Sequence, residues 1–152
     1  RISTLSDVLA GFGEVSVLKQ DASEAFWHDV RDIAMLDETA EQVWKLSVAP
    51  SVVSDVINMI TAQTSIRFFC DWAGGLAMLS GAGDRLNQIV RSAVEAHGGG
   101  HASLLRAPDP MRAAISSFHP QPAALAGLHD RIRDSFDPLH LLNPGKMGPA
   151  LT

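Results

Sequence analysis

A chain of 152 residues, 46% hydrophobic and 19% charged, is long and apolar enough for one packed domain. Its formal charge of −5 excludes the basic footprint of a nucleic-acid binder, and no apolar run reaches the length of a membrane span. The lone cysteine, Cys70, excludes an internal disulfide and fits a reducing compartment.

The opening residue is Arg1 in a polar segment, so no signal peptide is expected, and the missing methionine reads as a processed chain or a fragment. Residues 3–11 read as a short helix ended by Gly11 and Gly13. In 14–20, Val15 and Val17 alternate with Glu14 and Ser16 as in a half-buried strand. Asp21 opens a helix, with Glu24 completing a capping-box variant and Phe26, Val30 and Ile33 at helical spacing.

Residues 42–48 form a second strand, with Val43, Lys45 and Ser47 on one face and Trp44, Leu46 and Val48 on the other. Pro50 suits a first helical turn, and Val52, Val53, Val56, Ile57 and Ile60 make the apolar stripe behind it. Strands follow at 65–72 and 75–80, joined by a turn at Ala73–Gly75. Leu86, Ile89, Val90, Ala93 and Val94 mark a helix stopped by Gly98–Gly100. Residues 101–106 are a fifth strand and 107–122 a proline-containing link. Leu125, Leu128 and Ile132 then mark a last helix.

This order predicts an α+β fold: a ferredoxin-like antiparallel sheet with helices packed on one face, then a C-terminal helix and hook, in one domain of residues 1–152. The other sheet face is left to solvent or to a partner.

No complete catalytic motif is present. His97 and His101 bracket three glycines, a helix end and strand start instead of a rigid ligand pair, so no metal is expected. Cys70, flanked by Phe68, Phe69 and Trp72, reads as a buried small hydrophobe. Trp44 and Trp72 read as core. His28, His119, His129 and His140 read as surface or structural. Gly98–Gly100 follow a helix, so they lack the helix N-terminus that phosphate loops use. Polar residues on apolar strands remain: Lys45, Arg67 with Asp71 on one face, His101 and Arg106. Under a roof they would hold an anionic substrate; without one, they are a solvated face.

The C-terminal stretch Phe136–Met147, FDPLHLLNPGKM, is built for rigidity. Phe136 is placed to anchor it to the core. Pro138 and Pro144 fix φ, Asn143 is pushed towards extended backbone, and Gly145 permits a tight turn from which Asn143 and Lys146 project. This signature resembles that of FAD-linked oxidases of the vanillyl-alcohol-oxidase type. The segments 43–50 (VWKLSVAP), 70–79 (CDWAGGLAML), 97–107 (HGGGHASLLRA) and 118–138 look like the FAD-binding subunit of bacterial glycolate oxidases.

That resemblance implies the C-terminal substrate or cap domain of an FAD-dependent oxidoreductase, with the N-terminal FAD-binding domain absent. It implies FAD as cofactor of the full-length subunit, not retained by this chain alone, which would be inactive. It implies a small 2-hydroxy acid as substrate. As partners it implies a second flavin subunit and an iron–sulfur subunit, in the cytoplasm or peripheral at the inner membrane through those subunits. Asn143, Gly145 and Lys146 would lie near the flavin, and Lys45, His101 and Arg106 near the substrate. Lys45 stands where related sequences carry arginine, which removes a bidentate fork. An uncovered sheet face would favour self-association of the chain. The competing readings are a ferredoxin-like ligand-binding regulatory module and a subunit-docking domain without catalysis.

Overall fold

The computed structural model describes residues 1–36 and 39–143. Two compact units are present, Arg1–Met35 and Leu36–Thr152. The first holds helices α1 (Ile2–Leu9) and α2 (Asp21–Arg31). The helix at α2 begins at Asp21, but its cap is Gln20, with no side-chain capping bond. Asp21 and Glu24 therefore act on the positive end of the helix dipole instead of forming the expected capping box, with His28 and Arg31 at the negative end. The strand expected over 14–20 is not formed. Two valines in alternation are a weak signal, and a strand needs a partner edge to satisfy its backbone.

The second unit contains β1 (Gln42–Ser47), a 3-10 turn at Pro50–Val52, α3 (Val53–Thr61), β2 (Ile66–Asp71), β3 (Leu76–Gly81), α4 (Leu86–Ala96), β4 (His101–Arg106), α5 (Asp109–Ala114) and α6 (Ala123–Phe136). The four strands form one sheet in the order β2-β3-β1-β4, with every neighbouring pair antiparallel. This is the ferredoxin-like β-α-β-β-α-β arrangement. Helix α5 lies in the stretch read as a link; Pro110 in its first turn and Asp109 beside it favour a helix start.

The helices α3 and α4 pack on one sheet face. Val56, Ile57 and Ile60 of α3 and Leu86, Ile89, Val90, Ala93 and Val94 of α4 bury against Trp44, Leu46, Ala77, Leu79, Ala102 and Leu104. Trp44 lies fully buried between its register partners Leu79 and Leu104. Its Nε1 donates to Gln42 Oε1 at 3.1 Å, and Gln42 Nε2 donates to the Gly83 carbonyl at 2.8 Å. A buried polar pair thus ties the core to the loop before α4.

Two sequence-based placements need correction here. Cys70 is exposed, because it lies on edge strand β2, beyond the cover of the helices; burial on one side still pushes its thiol pKa up. Trp72 is 68% exposed with φ 53°. It begins the β2–β3 turn instead of ending the strand, and Asp71 accepts its backbone N–H at 2.7 Å. Gly74 of that turn has φ +95°, and a Cβ there would meet Val53 Cγ1 at 2.9 Å.

Among the described residues, no helix is long and apolar enough to cross a membrane.

Candidate functional site

The sheet face away from α3 and α4 carries the polar strand residues. The register lays them out in rows across β2, β3, β1 and β4. The first row is Asp71, Leu76, Ser47 and His101; the second Phe69, Met78, Lys45 and Ser103; the third Arg67, Ser80, Val43 and Arg106. Val43, Met78 and Ser80 are buried, while Lys45, Arg67, His101 and Arg106 are exposed. The face is an apolar floor with cations standing from it.

Lys45, His101 and Arg106 come together through β1 and β4. Lys45 pairs with Ser103, so His101 and Arg106 are its diagonal neighbours on either side. Diagonal positions stand about 7–8 Å apart, within reach of long side chains. Arg106 occupies this face because the register shifts between Val43 and Trp44. Leu105 is the extra residue. The two consecutive leucines, Leu104 and Leu105, break the period-two alternation, and that was the signal for a bulge in the sequence.

His97 is held elsewhere: its Nδ1 lies 2.8 Å from the Ala93 carbonyl, at the C-terminal end of α4. Gly99 N–H donates to the Val94 carbonyl there, and Gly98, Gly99 and Gly100 all have positive φ. This is a glycine-closed helix end. Among the described residues, no group of three or more His, Cys, Asp or Glu is arranged to hold a metal ion.

At the edge of β4, a strap of residues 115–119 forms a second cluster. Leu104 N–H donates to the Ser117 carbonyl at 2.8 Å. Arg91 of α4 donates to the Ser116 and Phe118 carbonyls at 2.5 and 3.0 Å, and its guanidinium lies 5.4 Å from the Trp44 ring centroid. His119 stands in a T-shaped contact with His101, centroids 6.4 Å apart, and 3.8 Å from Glu95. Its side chain is only 9% exposed and its Nδ1 is buried with no hydrogen-bond partner among the described residues. Reading His119 as a generic surface or structural histidine missed this cluster, since its partners come from α4 and β4.

Burial, then the Arg91 charge, holds the His119 pKa below the usual histidine value, with His101 adding to this and Glu95 opposing it. The folded state therefore binds this proton less tightly than the unfolded chain. The stability from neutral His119 is complete above the unfolded value and is lost as pH falls through it towards the folded value. Urea midpoints measured between pH 7.5 and 5.5 (about one unit either side of the unfolded value) should fall more steeply in the wild type than in His119→Gln. Parallel slopes would remove His119 as the titrating group.

The hook is described as far as Asn143. Asp137 organises it: its carboxylate accepts the Leu141 and Leu142 N–H groups at 3.0 and 2.9 Å. These bonds, Leu142's first, hold the Asp137 pKa below its usual value. The sequence reading gave Asp137 no role, although an Asp before proline at a helix end is a known turn former. Two expectations fail. Phe136 is 82% exposed, so it is not buried in the core; α6 has no buried residue, and its Leu125, Leu128 and Ile132 are exposed too. Asn143 has φ 48°, a left-handed conformation that asparagine tolerates, instead of extended backbone. Gly145 and Lys146 lie outside the described residues.

Comparison with protein-family models, with curated proteins and with solved structures returns no match.

Proposed function

We propose that this chain is the substrate-side domain of a flavin-dependent oxidoreductase. Within that class, the reading that its residues support best is the C-terminal domain of the FAD-binding subunit of a 2-hydroxy-acid oxidase or dehydrogenase of the glycolate-oxidase kind. The observation that carries it is the hook, where Asp137 braces a turn that presents Asn143 within the Phe-Asp-Pro…Asn-Pro-Gly-Lys signature. The cationic sheet face supports the same reading, because a 2-hydroxy acid offers a carboxylate to Lys45 and Arg106.

The residues fit only part of FAD. Gly98–Gly100 close the C-terminal end of α4, where the dipole repels a pyrophosphate. The dinucleotide would be held by another domain, with Asn143 and Lys146 near the ring system. When bound, flavin supplies the hydride acceptor for oxidation of a hydroxy acid to an oxo acid. This chain's own part is to bind and orient the carboxylate through Lys45 and Arg106, beside His101, on the apolar floor. Exposed Leu128, Ile132, Phe136 and Leu139 give a partner domain or subunit an apolar surface to cover.

The test is a visible absorbance spectrum of the protein from its whole reading frame, beside that of this chain. Flavin bands in the longer protein and none in this chain are expected. Asn143→Ala in the longer protein should lower flavin content or turnover while assembly survives. No flavin in either protein would overturn the reading.

A further inference from the structure

The two edges of the sheet differ. On β4, the Leu104 N–H donates to the Ser117 carbonyl of the strap. β2 ends the order β2-β3-β1-β4, and among the described residues β3 is its one strand partner. An edge strand presents a row of backbone donors and acceptors that a further strand can take up, and proline, lysine or a bulge commonly blunts it. β2 has none of these devices. Ile66–Asp71 contains no proline or lysine, and its register with β3 runs unbroken from Ile66 to Asp71.

The side chains of β2 are uncovered as well. Phe68 and Cys70 pair with Leu79 and Ala77 on the helix-covered face. Leu79 and Ala77 are fully buried, yet Phe68 is 46% exposed and Cys70 is exposed. The apolar cover thins between β3 and the edge. Arg67, Phe69 and Asp71 take the open face, with the cation and the carboxylate two positions either side of Phe69. An occupant of this edge must add a strand, cover Phe68 and Cys70, and meet that spacing of opposite charges. A second copy of β2 does all three.

We propose that two copies of this chain associate edge to edge through β2, antiparallel about a two-fold axis at Phe69, so that one sheet runs through both. In that register Arg67 of each copy faces the partner's Asp71, Phe69 faces its own copy, and Phe68 faces the partner's Cys70. Asp71 Oδ1 accepts the Trp72 N–H, which leaves Oδ2 for the guanidinium. Opposite charges directly across an antiparallel pair attract and like charges repel. Centring on Arg67 would oppose the two guanidinium groups, and centring on Phe68 or Cys70 would leave neither charge facing its opposite. Charge therefore selects the register, and two-fold symmetry makes the contact twice. The pairing uses an edge, so it stands whether or not the open face receives a substrate.

Light scattering on the 152-residue chain across a concentration range should show reversible growth from the 16.3 kDa chain mass to twice that mass. Arg67→Glu sets like charges opposite at both symmetric pairs and should raise the dimer dissociation constant at least about tenfold. Arg131→Glu makes the same charge change on α6, off the sheet, and at physiological salt should leave the constant within about twofold. Cross-linking with diamide in a Cys70→Ser background reads the register. Phe69→Cys should give an intermolecular disulfide, since directly opposed residues stand about 4.5–5.5 Å apart between Cα atoms. Phe68→Cys should give far less, because its own copy is a diagonal neighbour about 7–8 Å away. Should either Arg67→Glu or Phe69→Cys lose the wild-type circular dichroism, the other decides. A monomer throughout the concentration range would overturn the pairing. So would a dimer equally strong in Arg67→Glu, or cross-linking at Phe68→Cys that matches Phe69→Cys.

Discussion

Replacing Trp44 with alanine is expected to destabilise the sheet unit by about 3–5 kcal/mol, against a total of about 5–15 kcal/mol for a domain. The side chain has no exposed surface and sits on central strand β1 between Leu79 and Leu104, so the neighbours that would fill the void are themselves fixed by sheet pairing. Two further losses add to the cavity. Gln42 Oε1 is left buried without its donor. Arg91 loses the ring beneath it, and Arg91 holds the strap through the Ser116 and Phe118 carbonyls. Trp44→Phe separates these contributions. It keeps most of the apolar volume but removes the N–H donor, so about 1–3 kcal/mol should be lost. Urea unfolding followed by far-ultraviolet circular dichroism is the suitable measurement, since Trp44 is itself the buried fluorophore. A loss below about 1 kcal/mol for Trp44→Ala would contradict the packing described, because core aromatic truncations do not behave so.

The same residue shows why much of the fold could be read from the sequence. Trp44 and Leu46 against Lys45 and Ser47 is a period-two pattern with unambiguous sides, and α3 and α4 carry equally regular helical stripes. These local patterns yield the βαββαβ order, and the topology rules do the rest. At 14–20 the local pattern was present but tertiary pairing was not, so no strand formed. Cys70 and Trp72 were misplaced because sequence shows that a strand is apolar but not that it lies at a sheet edge, where cover by the helices runs out. The candidate site was legible as residue types. Lys45, His101 and Arg106 were singled out on strands, but their convergence depends on register and on the Leu105 bulge, which are relations between strands. His119 could not be found this way, since its neighbours Glu95, Arg91 and His101 lie on two other elements.

Gly100→Ala should cost about 2–4 kcal/mol, the sum of a backbone conformation closed to L-residues and a steric conflict. Gly100 has φ +136°, and a Cβ there would run into the Ser47 carbonyl oxygen and approach Val48 Cγ1 to 3.2 Å. The obstacle is backbone of central strand β1, so no side chain can rotate away to relieve it. Either β4 separates from β1 at the Ser47–His101 pair, or Gly100 moves and takes His101 with it. Gly98 and Gly99 are the internal control. Their φ values are +93° and +84°, with nothing within 4 Å of an added Cβ. Alanine at either should lose only the conformational part, about 1 kcal/mol. The difference between Gly100→Ala and the other two therefore measures the close approach of the α4–β4 connection to β1. Amide exchange should localise it, with protection reduced at His101 and Ala102 in Gly100→Ala and retained there in Gly98→Ala. Equal destabilisation by all three substitutions would mean that the connection does not press against Ser47. The three glycines would then serve only to end α4, and His101 would owe its place on the open face to strand pairing alone.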